Sequence, residues 1–245
     1  MTKAQESQNR MPTNDAVAAD NVQLSFTDSR AIAIITLNDP KLGNPMSPEM
    51  GDAFAALVGQ LKRLDELRAV IVRGAGQNFS VGGHRDMLTK LADPKMSAKA
   101  RHDFMLGFYD RWLSLLDVPV PVIAAIEGDC IGVAPIFACA SDICVADETA
   151  NFQITFAGLG LYPGMAMSYL VPKLVGAQQA VLLMVAANID GVTRPLTQAL
   201  RVRRSELQPV LESDATRQAE SYSTREFREQ IAGYLPGWYD GHEAR

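Results

Sequence analysis

Cysteine and histidine are scarce in this chain, three of each among 245 residues, and their spacing excludes several chemistries. Cys130, Cys139 and Cys144 fall within one short apolar region. An odd number with no CxxC pair and no Cys/His spacing makes neither a disulfide framework nor a zinc site. They read as small buried hydrophobes of a reducing compartment, and no metal is expected. No apolar run reaches the ~18 residues that a membrane-spanning helix needs. The opening MTKAQESQNRMPTNDAVAAD is polar and lacks the apolar core of a secretion signal, so residues 1–20 read as a disordered tail and a cytoplasmic location is expected. A basic stripe is also missing. With a net charge of −5 and a pI near 5.3, the chain is not expected to bind nucleic acid, and only a local cluster of Lys and Arg remains for an anionic ligand.

What is present is the balance of an ordinary globule, 47% hydrophobic and 21% charged, in a chain long enough for one large domain with a substantial core. VQLSF and AIAIITL, separated by TDSR, read as a β-hairpin. Ser47-Pro48-Glu49 reads as a helix start: N-cap, proline at the first helical position, acid in the first turn. Phe54, Leu57, Val58 and Leu61 follow at amphipathic spacing. RAVIVRGAG is a strand running into a glycine turn, LTKLADPKMSAK a polar stretch, and a long helix is expected from about Ala98 to Leu116. After the buried strand VIAAI, the segments ICVAD and NFQIT look like two more short strands. Repeated strand–turn–helix units place the chain in the α/β class.

Two turns attract attention. After VIAAI the chain is expected to turn through Asp129 to Gly132, and Pro135 marks a helix start because its missing N–H needs no helical partner. The N–H of Val133 then lies beside a helix N-terminus, where negative charge is favoured. Strand AVIVR leads in the same way into FSVGG, with an amide at Val81. Two such amides converging on one point would make an oxyanion hole. Spacing alone does not show that the turns meet.

The segments FSVGGHRDM, PVIAAIEGDCIGVAPIFACASDICVAD and ANFQITFAGLGLYPGM, in that order, resemble the crotonase, or enoyl-CoA hydratase/isomerase, superfamily over about Val22 to Gly176. The resemblance implies a crotonase-like spiral of ββα units over residues 21–191 and a helical region over 192–245. It implies assembly as a homotrimer or hexamer, and acyl thioesters of coenzyme A or an acyl-carrier protein as substrates, with no separate cofactor. Its two oxyanion amides fall on Val81 and Val133. Gly82, His84, Gly132, Phe156 and Tyr162 are the implied substrate-binding positions, although a loop histidine and a core tyrosine remain alternatives for His84 and Tyr162. His102 and His242 read as structural or solvated.

In hydratases of this family two glutamates move protons, and the matching residues here are Ile136 and Phe156. Neither transfers a proton, so simple hydration is not expected. GGHRDMLTKLADPKMS and FAGLGLYPGM resemble the decarboxylating branch of polyketide β-branching, which converts 3-methylglutaconyl to 3-methylcrotonyl on a carrier protein. The resemblance puts the contact to the substrate carboxylate on Lys95. Two departures stand against it. The region matching the branch's C-terminal histidine has Gln218 and Ser223 but no histidine, and a strand and helix of the family are absent near 191/192. Hydrolysis of a β-diketone, another hydratase or isomerase reaction of the fold, and an inactive crotonase-fold binding protein are the alternatives.

Overall fold

The computed structural model describes residues 21–27, 30–176, 179, 180, 183 and 204–234. The expected tail at 1–20, the junction at 191/192 and His242 lie outside the described residues.

The hairpin is present: β1 (Val22–Phe26) pairs antiparallel with β2 (Ile32–Leu37). Next comes α1 (Pro48–Leu61), capped by the Ser47 hydroxyl, which accepts from the Met50 amide at 3.1 Å. Its apolar residues Met50, Phe54, Leu57, Val58 and Leu61 are buried, as their spacing requires. Strands β3 (Ala69–Gly74), β4 (Val122–Ile126) and β6 (Ile143–Ala146) extend the hairpin as parallel neighbours into a five-stranded sheet of order β1-β2-β3-β4-β6. Parallel order demands crossovers, and helices supply them.

Two local expectations need correction. The polar stretch after His84 is not irregular: α2 (Arg85–Leu91) occupies its first part and buries Met87, Leu88 and Leu91 on one face. The segment after β4 is not a simple turn either. Asp129–Ile131 form β5, which pairs in parallel with β7 (Asn151–Gln153) as a separate two-stranded sheet. A three-residue strand carries no periodicity of its own; only its distant partner defines it.

The remaining helices are α3 (Ala98–Leu113), α4 (Ala134–Cys139), α5 (Met167–Val175), α6 (Arg204–Ser221) and α7 (Arg225–Tyr234). Helix α3 stops before the expected Leu116, and a 3-10 turn over Ser114–Asp117 completes the span. Helices α1, α3 and α4 meet in an aromatic cluster, with the Phe54, Trp112 and Phe137 rings 5.3–5.4 Å apart. This is the contact range of favourable ring pairs. All three cysteines are buried. Burial pushes the Cys139 and Cys144 thiols up to about 12 and about 11, so neither is a thiolate near neutrality. Among the described residues, no helix is long and apolar enough to cross a membrane.

Candidate functional site

The short strand β5 belongs to a staircase of main-chain contacts. Met46 bridges Gly83, Ser80 bridges Cys130, and β5 pairs with β7, every contact parallel. Each step is a strand–turn segment laid beside the equivalent segment of the next unit, and this brings the two glycine turns together. Phe79 and Ser80 donate to the carbonyls of Glu127 and Asp129 at 2.8 and 3.0 Å, and Ile131 donates back to Ser80 at 2.9 Å. The Asn78 carboxamide oxygen accepts from the Asp129 amide at 3.0 Å and locks the same pair.

Gly82 and Gly132 lie against each other, with φ +90° and +65°. A Cβ on Gly82 would sit 2.6 Å from the Ile131 carbonyl oxygen and 3.5 Å from the Gly132 Cα. Only glycine permits both the left-handed backbone and this approach. The turns therefore converge as expected.

The donors differ from those expected. The Val81 amide donates to the Gly43 carbonyl at 2.9 Å and takes no part in an oxyanion hole. Its acceptor is held in place by buried Asn44, whose side chain donates to the carbonyls of Ala75 and Asn78 at 2.8 and 2.7 Å. The Val81 side chain is buried over Gly43. Two residues on, the amide of Gly83 has no acceptor among the described residues, and the same holds for Val133. Gly83, Gly132 and Val133 line one cleft of about 410 Å³, open space at its mouth included. Gly83 and Val133, rather than Val81, are thus the cleft amides left unengaged among the described residues.

The rest of the cleft is apolar on most sides, with Met87 and Leu88 from α2, Met105 and Phe108 from α3, and Phe156 and Leu159 from the loop after β7. Phe156 is a wall residue, and Ile136 is fully buried behind it in α4. Among the described lining residues none is charged, and the polar side chains are Thr155, Gln218 and Tyr222. Sequence reasoning missed Thr155 and Tyr222 and set Gln218 aside as a missing histidine. Tyr222 follows the last residue of α6, its amide donating to the Gln218 carbonyl at 3.1 Å, so the four-residue spacing keeps both on one face, a signal visible only once that helix is known to cover the cleft.

Four expected site residues lie elsewhere. Lys95 is exposed in the turn between α2 and α3 and does not line the cleft. Its amide donates to the Asp93 carboxylate at 2.9 Å. Buried Arg101 pins this turn by donating to the carbonyls of Leu91 and Asp93 at 2.9 and 2.6 Å, so the loop closes on itself and leaves Lys95 outside. His84 caps α2, its Nδ1 accepting from the Asp86 amide at 3.2 Å. Tyr162 docks α6: its hydroxyl accepts from Arg217 at 2.7 Å, its amide donates to the Ser221 hydroxyl at 3.2 Å, and its ring lies under the Arg217 guanidinium. Gly82 shapes the turn without lining the cleft.

Near the cleft, α6 also buries Asp214 beside the start of α5. The Ser168 hydroxyl donates to its Oδ1 at 3.3 Å, and Oδ2 has no partner among the described residues. Burial pushes this carboxyl up to about 6, a rise limited by the Ser168 bond, the Ala166 backbone and Arg217. Ala166, whose backbone faces it, and the preceding Met165 have positive φ, 59° and 57°.

Comparison with known proteins agrees with this architecture. The family model described as enoyl-CoA hydratase/isomerase matches residues 27–192, more than half of the chain. A probable enoyl-CoA hydratase of Mycobacterium tuberculosis is 32% identical over 162 residues, 66% of this chain and 60% of that protein. A 1,2-epoxyphenylacetyl-CoA isomerase of Escherichia coli is 30% identical over 160 residues, 65% of this chain and 60% of that protein. The matches thus span about 60% of the length of these curated relatives. Among solved structures, an enoyl-CoA hydratase from Bacillus halodurans superposes with a TM-score of 0.76 at 17% identity, covering 87% of this chain and 99% of that one. A structure described as part of a dehydratase/decarboxylase enzyme couple involved in polyketide β-branching superposes with a TM-score of 0.71 at 22% identity, covering 87% and 98%. At those identities the likeness is one of fold. On the family match, and with the fold in agreement, the chain belongs to the enoyl-CoA hydratase/isomerase family.

Proposed function

We propose that the protein is an acyl-thioester decarboxylase, converting a 3-methylglutaconyl group carried on an acyl-carrier protein or coenzyme A to 3-methylcrotonyl, as in polyketide β-branching. One observation carries the reading: the cleft pairs two unengaged main-chain amides, Gly83 and Val133, with walls that contain no carboxylate among the described residues. Hydration needs positioned acid–base groups, each worth ~100- to 10,000-fold. Loss of CO2 next to a vinylogous thioester needs a sink for electrons instead. The bond from C4 to the carboxylate breaks, and its electron pair moves through the C2–C3 double bond to the thioester oxygen. Carbon dioxide leaves, and a proton from water adds at C4 to give the 3-methylcrotonyl product.

The amides of Gly83 and Val133 would receive the thioester oxygen and strengthen their hold as the dienolate forms. Tyr222 stays neutral beside it, because burial pushes its hydroxyl well up. A fold neighbour from a β-branching couple is compatible with this chemistry, as other neighbours are with hydration. With it go a carrier-protein or coenzyme A partner, a trimeric or hexameric assembly and a cytoplasmic location.

Incubation of the protein with 3-methylglutaconyl thioesters of both carriers, followed by mass spectrometry, tests the proposal. The expected result is a mass loss of CO2 with formation of 3-methylcrotonyl thioester. Hydration of crotonyl-CoA without CO2 loss from 3-methylglutaconyl thioester would return the protein to the hydratases. Binding without turnover would make it a non-catalytic thioester binder.

A further inference from the structure

Gln218 is 1% exposed and lines the cleft, yet its carboxamide is only half satisfied. The Tyr109 hydroxyl donates to Oε1. A carboxamide nitrogen carries two N–H donors, and Nε2 makes a single contact, 3.5 Å to the Tyr162 carbonyl, at the outer limit for a hydrogen bond. At least one N–H is therefore without a partner among the described residues, in a largely apolar lining.

The fold builds this arrangement deliberately. Tyr109 is fully buried on α3 and remains a neutral donor, since burial raises its hydroxyl and the Asp214 charge raises it further. That makes Oε1 the acceptor and leaves Nε2 as the donor end of the carboxamide. Gly164 passes so close that a Cβ there would overlap the Tyr109 hydroxyl and stand 2.8 Å from the Gln218 Cδ. A side chain at position 164 would push the pair apart.

We infer that Gln218 Nε2 is the donor of a second subsite, which receives an acceptor oxygen at the distal end of the acyl group, so that the cleft selects short acyl thioesters ending in a carboxylate. The subsite rests on the acyl-thioester reading above and takes the role that the sequence had assigned to Lys95. A neutral donor would orient the carboxylate through a hydrogen bond without neutralising it.

The test measures calorimetric dissociation constants of two unreactive probes that differ only by the carboxylate, 3-methylglutaryl-CoA and isovaleryl-CoA. The unmutated protein is expected to bind 3-methylglutaryl-CoA about 10-fold more tightly, the scale of one hydrogen bond to a charged group. Gln218→Met, similar in length and without donors, is expected to abolish that preference while isovaleryl-CoA binding stays within about twofold, which also reports that the variant is folded. Tyr109→Phe, which releases the carboxamide from its orientation, is expected to lose part of the preference. Equal binding of the two probes by the unmutated protein, or a preference that survives in Gln218→Met, overturns the Gln218 assignment and leaves the thioester reading standing if CO2 is still released. If neither probe binds, both fall.

Discussion

The strand staircase and the helical cover face each other across the cleft, and they meet their polar obligations in different ways. In the staircase, main chain pairs with main chain over residues 43–84, 127–132 and 151–153, and the amides of Gly83 and Val133 are left over where the strands peel apart. In the cover, formed by α6 and the loop before α5, side chains carry the polar contacts, and these are incomplete at Gln218 Nε2 and Asp214 Oδ2. The consequence is a division of labour. On the proposed function, a main-chain donor, which survives side-chain change, would serve the thioester oxygen common to all substrates. A side-chain donor, which one substitution can alter, would serve the part of the acyl group that varies.

Breaking the staircase is expected to have the largest effect. Gly82→Ala forces a Cβ to 2.6 Å from the Ile131 carbonyl at a φ of +90°. Urea unfolding should show a loss of about 3 kcal/mol or more, and thioester binding should disappear, since the strain lies between the two oxyanion turns.

On the cover side, Gly164→Ala displaces Tyr109 and Gln218. It is expected to cost about 1–3 kcal/mol in thermal or urea unfolding. The preference for a carboxylate-bearing probe should go with it, whereas isovaleryl-CoA should still bind. Loss of both probes in a folded variant would show that the two regions do not act separately.

Asp214 sharpens the comparison through pH. Its usual value is 3.8 and its folded value about 6, so between these the native state holds more protons than the unfolded chain. Stability from this group is present in full below about pH 4 and declines as pH rises through 6. Asp214→Asn should therefore stabilise the protein by roughly 2 kcal/mol at pH 8, with the gain vanishing near pH 4. Denaturant midpoints at the two pH values give the answer, and an equal effect at both would remove the buried carboxylate as the cause.

The smallest effect is expected at Lys95. It is exposed and outside the cleft, so Lys95→Ala should change stability by less than about 0.5 kcal/mol. The rate of CO2 release should also be unchanged, and a clear fall in that rate would return Lys95 to the site.

Local chemistry was legible in the sequence wherever a residue acts on its own neighbours. Ser47, Pro48 and Glu49 start α1 as read, the hairpin forms where TDSR separates two apolar runs, and the cysteines are buried. The convergence of two glycine turns was an expectation that pairing alone could establish. Helix α2 was overlooked because its apolar residues, Met87, Leu88 and Leu91, are few and set among charges.

The sequence by itself determined the α/β class, the hairpin, the strands β3 and β4, the helices α1 and α3 and the two glycine turns, because each follows from patterns within a short stretch of chain. Which amide in the first turn stays unengaged was decided by the tertiary structure. The direction of an N–H depends on what pairs beside it, and the carbonyl that captures Val81 belongs to Gly43, on another loop. The same holds for the cover. Gln218 and Lys95 are both polar residues in polar stretches, and only the packing of α6 over the cleft and the pinning of the α2–α3 turn by Arg101 put one inside and the other in solvent.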